Sequence, residues 1–118
     1  MTAIAAGQLT SPGISARPKQ LTRGLVLALE TATHQITVNA LCPGYVDTPL
    51  VRNQLQSLAD ARGVQVSRVL DEVIFPLVPE RRLLTPEEVA HYAVFLASDL
   101  SGGVTGQAVV IDGGYLAQ

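Results

Sequence analysis

Few side chains in this 118-residue sequence have the type and spacing to do chemistry. The tyrosines are Tyr45, Tyr92 and Tyr115, phenols that need a neighbouring ammonium to be pulled toward the working range. His34 and His91 lack metal-spaced partners, so no metal site is expected. Cys42 stands alone, which excludes a disulfide framework or a thiolate metal site within one chain. Its expected place is as a small buried hydrophobe. Lys19 reads as a solvated first-turn lysine, and Ser15 as a cap for the helix that follows. The Arg81-Arg82 pair has the charge to steer an anion, or simply to solvate a loop.

One stretch remains, LCPGYVDTPLV at 41–51. An apolar run turns at Pro43-Gly44 and gives way to a helix signal at Thr48-Pro49. Pro43 fixes its own φ and removes a donor, which ends a ladder. Gly44 permits backbone angles closed to other residues. Thr48 is an N-cap type and Pro49 suits the first helical position. A turn of this kind leaves a crevice at the carboxyl end of a strand, where open α/β sheets bind ligands.

The elements that must position this crevice follow from periodicity. Residues 1–17 are small, polar and punctuated by Gly and Pro, which predicts a loop. A helix is expected from about Pro18 to Thr33, with Leu21, Gly24, Leu25, Ala28, Leu29 and Ala32 on one stripe. On that stripe, Gly24 would let another backbone come close. ITVNALC (36–42) predicts a strand. Helices are expected over 49–75, the first stopped by Gly63, with Val51, Leu55, Leu58 and Ala59 on one face, the second ending at Phe75 before Pro76. Thr85 and Glu88 form a capping box around Pro86, opening a helix to about Ser98. QAVVID predicts a buried strand over about 107–111, and Asp112-Gly113-Gly114 a turn.

Two strands separated by helical crossovers point to parallel pairing in an α/β fold. Two strands are too few to bury helices on both faces. Composition agrees: 47% of residues are hydrophobic and only 15% charged, rich for a chain this short. The expectation is a segment that more protein should cover. A net charge of −2 with scattered basic residues argues against nucleic acid or an anionic membrane surface. The opening residues lack a signal peptide's basic and apolar regions, and no apolar run approaches the ~20 residues of a spanning helix. A cytoplasmic protein is expected.

ITVNALCPGYVDTP resembles the sixth strand and following turn of short-chain dehydrogenases/reductases. TPEEVAHYAVFLASDLSGGVTGQAVVIDGGY resembles that family's last helix and last strand, and LALE before ITVNALCPG is also typical. Within the family, LVRNQLQSLADARG and the closing GGYLAQ look like bacterial 3-hydroxybutyrate dehydrogenases. The resemblance implies an α/β chain forming the carboxyl-terminal part of a Rossmann-type doubly wound parallel sheet. It would hold two strands and about four helices in a partial domain over 18–118, with the first βαβ units missing.

The resemblance also implies hydride transfer between a nicotinamide (NAD or NADP) and an alcohol or hydroxy acid. A tyrosine four residues before a lysine would serve as acid/base. Lys19 matches the lysine, but the tyrosine position falls on Ser15, or on Arg17 in a slipped register. A serine hydroxyl needs a separate base to act, and an arginine stays protonated. The turn Pro43, Gly44, Tyr45 and Val46, with the Thr48 hydroxyl, would hold the nicotinamide carboxamide, which needs both a donor and an acceptor. Gln54 matches a glutamine that contacts the substrate carboxylate. Val46, Thr48, Leu50, Val51 and Gln54 would then wall the pocket. Two functions are expected: an oxidoreductase module inactive without the missing half, or a non-catalytic remnant or interaction module. Either would form homo-oligomers or aggregate.

Overall fold

The structure is a computed structural model that describes residues 2–6 and 18–118, with side chains from Arg23 onward. It resolves into two compact units, residues 1–43 with 87–111, and residues 44–86 with 112–118.

The first unit is built on a three-stranded parallel sheet, ordered β1 (Thr2–Ala6), β2 (Thr37–Pro43), β3 (Ala108–Ile111). Strands β2 and β3 were expected, but β1 was not. Residues 1–17 read as a loop because TAIAA offers only Thr2 and Ile4 as β-branched residues. What makes the strand is a partner distant in sequence, since Thr2 through Ala6 pair in register with Thr37 through Leu41. Residues 7–17, including Ser15, lie outside the described residues.

Helix α1 spans Pro18–Thr31 and tightens into a 3₁₀ turn at Ala32–His34. That turn closes on Gln35, whose φ of 57° is left-handed. Of the expected stripe's described side chains, Ala28 is buried, whereas Leu25 is 49% and Leu29 79% exposed. The helix forms as expected, but little of the described chain covers that face. No side chain or backbone comes within 4 Å of a Cβ placed on Gly24 among the described residues. The close approach is at Gly106 instead, where a Cβ would meet Leu25 at 3.4 Å and Ala28 at 3.7 Å.

Val38, Leu41 and Cys42 of β2 are buried, as is Leu96 of α4 (Pro86–Ala97). Burial pushes the Cys42 thiol pKa up, so the group stays a neutral hydrophobe. Asn39, 2% exposed, donates through Nδ2 to the Val104 carbonyl at 2.8 Å and accepts from the Gln107 N–H at 3.2 Å. It therefore ties β2 to the approach to β3. Strand β3 corrects the expectation of a buried strand: its residues alternate exposed and half-buried, with Val110 44% exposed. It pairs only with β2 among the described residues.

The second unit packs around α2 (Pro49–Arg62), with Val51, Leu55 and Ala59 buried on one face as their four-residue spacing dictates. Gly63, at φ 64°, ends this helix in the left-handed conformation. Val69, Ile74 and Val78 complete the core. The expected second helix is a run of three hydrogen-bonding patterns: α3 (Val66–Val69), a π turn at Leu70–Ile74, and a 3₁₀ turn at Phe75–Leu77. The reason lies in burial. At ~100° per residue, Val69 and Ile74 would stand ~140° apart on an α-helix. An i→i+5 turn stacks them, and both are buried, at 1% and 6% exposure.

Candidate functional site

The crevice turn has the local geometry its sequence implies. Strand β2 ends at Pro43, residues 44–48 leave the sheet, and α2 begins at Pro49. Thr48 is the N-cap, and its hydroxyl accepts from the Val51 N–H at 3.3 Å. Gly44 works differently from the expectation. Among the described residues the left-handed glycines are Gly63, Gly106, Gly113 and Gly114. What Gly44 supplies is space, because a Cβ there would lie 2.9 Å from both Cα and Cβ of Asp112.

Residues 45–48 are held by a single parallel bridge between Val46 and Leu84. The Leu84 N–H donates to the Tyr45 carbonyl and the Leu84 carbonyl accepts from the Asp47 N–H, each at 2.8 Å. In this pattern the flanking residues meet Leu84, and the main-chain groups of Val46 itself face the other way. The Val46 carbonyl accepts from the Thr48 N–H at 2.8 Å, and its second lone pair remains available. The Val46 N–H has no hydrogen-bond partner among the described residues. Since the Thr48 hydroxyl acts as acceptor toward Val51, its own proton remains to donate.

These groups suit a primary amide. The Val46 N–H can donate to an amide oxygen, while the Val46 carbonyl and the Thr48 oxygen can receive an amide N–H₂. Below the turn, Asp47 and Arg52 form a two-bond ion pair, Arg52 Nε to Oδ1 at 2.5 Å and Nη2 to Oδ2 at 2.7 Å. The Arg52 hydrogen bond holds the Asp47 carboxyl below its ordinary pKa.

The expected pocket wall is brought together only in part. Leu50, 55% exposed, and Gln54 lie on the open side of α2, one turn apart, and Thr48 caps its start. Val46 and Val51 are buried at 7% and 6% exposure, so they back the wall rather than face an open cleft. Lys19 falls in the first turn of α1, ahead of the described side chains. Tyr45 meets Tyr115 edge-on with ring centroids 6.1 Å apart. Burial, and then the neighbouring Tyr115 phenol, push the Tyr45 pKa up, the opposite of what an acid/base phenol requires. Arg82 pairs with Glu80 at 2.7 Å, which makes it an element of the loop's own structure. In the first unit, a cleft of about 380 Å³ lies at the amino end of β2, lined by Gln35, Thr37, Ser98, Asp99 and Ser101 among others. The Ser98 and Ser101 hydroxyls there donate to main-chain carbonyls.

Sequence reasoning missed Leu84, Asp112 and Asn39. Each acts through a partner far away in the chain, and no local pattern marks such a role.

Residues 19–116 match the family model described as Enoyl-(Acyl carrier protein) reductase. The chain is 68% identical over 91 residues to the uncharacterized oxidoreductase YxjF of Bacillus subtilis, covering 77% of this chain and 35% of that protein. It is 44% identical over 92 residues to a D-beta-hydroxybutyrate dehydrogenase of Rhizobium meliloti, covering 78% of this chain and 36% of the relative. Among solved structures, a short chain dehydrogenase family protein from Francisella tularensis superposes with a TM-score of 0.89 at 34% identity. That match takes in 99% of this chain and 51% of the other. The chain thus spans little more than a third of the length of these curated relatives.

Proposed function

Because the chain belongs to the short-chain dehydrogenase/reductase family, we propose that it is the nicotinamide-carboxamide and substrate end of an NAD(P)-dependent oxidoreductase. Its substrate would be a short hydroxy acid or alcohol of the 3-hydroxybutyrate type. On this reading the chain is inactive by itself.

The observation that carries the proposal is the main chain of Val46, turned away from Leu84, with the Thr48 hydroxyl two residues on. When bound, the nicotinamide supplies the hydride-accepting or hydride-donating carbon. The chain's own part is to bind and orient. Val46 and Thr48 would hold the carboxamide and so orient the ring. Gln54, open on α2, offers an amide N–H₂ to a substrate carboxylate without burying a positive charge. By resemblance, Lys19 stands at the family's lysine position. By the same resemblance Ser15 falls at the tyrosine position, and Tyr45, shifted upward, has no lysine four residues on.

The test is an assay at the reduced-nicotinamide absorbance band with 3-hydroxybutyrate and NAD or NADP. No turnover above a no-protein control is expected from the purified chain. Clear turnover would remove the inactivity claim.

A second reading, a non-catalytic interaction module, is favoured by apolar surface. Leu29 and Val94 are 79% and 68% exposed on α1 and α4, and β3 leaves one side unpaired among the described residues. The two readings separate on nicotinamide binding, which only the first requires.

A further inference from the structure

Residues 112–118 touch both the crevice turn and the end of the π-containing segment. The Asp112 carboxylate folds this stretch by accepting from the Gly114 and Leu116 N–H groups, each at 2.9 Å. Gly113 and Gly114, at φ 62° and 90°, make the reversal that lets it happen. At its base, the stretch rests on Gly44 through Asp112 and on Tyr45 through Tyr115. Farther on it takes hold of 77–80 at two points. The Glu80 N–H donates to the Gly113 carbonyl at 3.2 Å, and the Gln118 Nε2 donates to the Leu77 carbonyl at 2.8 Å. Between those points, Val78 is 2% exposed and packs under Gly113, where a Cβ would lie 3.0 Å from its Cγ1.

The segment that arrives at Leu77 is the one whose hydrogen bonding changes twice in twelve residues, from α through π to 3₁₀. Converting a π turn to α shifts everything after it by about one residue, a rotation of ~100°. Such an element has two discrete arrangements, and contacts beyond it select between them. Ile74 in the core is one selecting contact. The Leu77 carbonyl is the first group past the π turn held by a side chain from outside the segment.

We propose that residues 112–118 are a latch that sets the register of the 66–77 segment, and that the Gln118 amide on the Leu77 carbonyl is its releasable contact. Since the same residues rest on Gly44 and Tyr45, release at Leu77 is transmitted to the crevice turn. Gln118 is thus a positioning residue, acting on the site through the 66–77 segment.

The test is amide hydrogen exchange followed by mass spectrometry on the full 118-residue chain and two variants. Gln118→Glu keeps the shape and removes the donor; Gln118→Ala removes the side chain. Both variants should exchange faster in a peptide spanning 74–82, by on the order of five-fold, the size expected for one lost hydrogen bond. A peptide within α2 should keep its parental rate. Parental exchange at 74–82 in both variants overturns the latch. So does acceleration of equal size in α2, which would mean general loosening. The measurement needs neither cofactor nor turnover, so its outcome is separate from that of the oxidoreductase reading.

Discussion

Asp112 occupies the space that a side chain on Gly44 would need: a Cβ there would fall 2.9 Å from both its Cα and its Cβ. The obstruction is partly backbone, so it cannot swing aside like the end of a flexible side chain. Gly44→Ala should therefore destabilise the chain by about 1–3 kcal/mol, as overpacking does. A denaturant titration checks this, and a midpoint equal to the parent's would contradict it.

Thr48 has one role that is independent of any ligand. Its hydroxyl accepts from the Val51 N–H and caps α2. Thr48→Val, nearly the same shape without the acceptor, should cost about 1 kcal/mol, and Thr48→Ser should restore most of it. Equal melting midpoints for Thr48→Val and the parent would contradict the capping role.

Tyr45 gives the chain an alkaline limit. Burial, and secondarily Tyr115, raise its folded-state pKa. Its contribution to stability is thus fully present below the unfolded phenol value of about 10, and is lost as pH rises through the higher folded value. Spectrophotometric titration should show one late-ionising tyrosine that disappears in Tyr45→Phe. A late component that persists in that variant would assign the shift elsewhere.

Asn39 is buried with both ends of its amide engaged. Asn39→Asp replaces the donor to the Val104 carbonyl with a buried carboxylate, at a cost of about 3 kcal/mol or more near neutral pH. The loss should shrink in acid, where a protonated carboxyl can donate again. Urea midpoints at two pH values read this directly, and a pH-independent loss would argue against the donor's role.

Much of this architecture was legible because helix boundaries are written locally. Thr48-Pro49, Gly63 and Pro86 mark their helix ends within a few residues, and the structure places them so. Strand β1 was not legible, because a parallel partner 35 positions on decides it, Thr2 pairing with Thr37. The π turn was hidden for a related reason. Val69 and Ile74 carry no α-helical spacing, and only the shared core shows that both are buried. At the site, the residue types could be read, but the direction of Val46's main chain could not. That depends on Leu84, 38 positions later, across a loop that gives no sign of the bridge. The apolar stripe of α1 could be read as a pattern. Whether it is covered is a matter of how much protein surrounds it, and Leu29 at 79% exposure shows how little of the described chain does so.

We propose that this chain holds the nicotinamide and substrate end of its family's site. The measurement that tests it most directly is reduced-nicotinamide absorbance with 3-hydroxybutyrate, on the chain alone and on a hybrid. In the hybrid, a family relative's amino-terminal half, carrying the tyrosine and glycine-rich turn, precedes residues 18–118. The account predicts no turnover from the chain alone, turnover from the hybrid, and a loss on the order of ten-fold or more in kcat/KM when Thr48→Val is added. Turnover by the chain alone, or a folded hybrid that is inactive or indifferent to Thr48→Val, would contradict it.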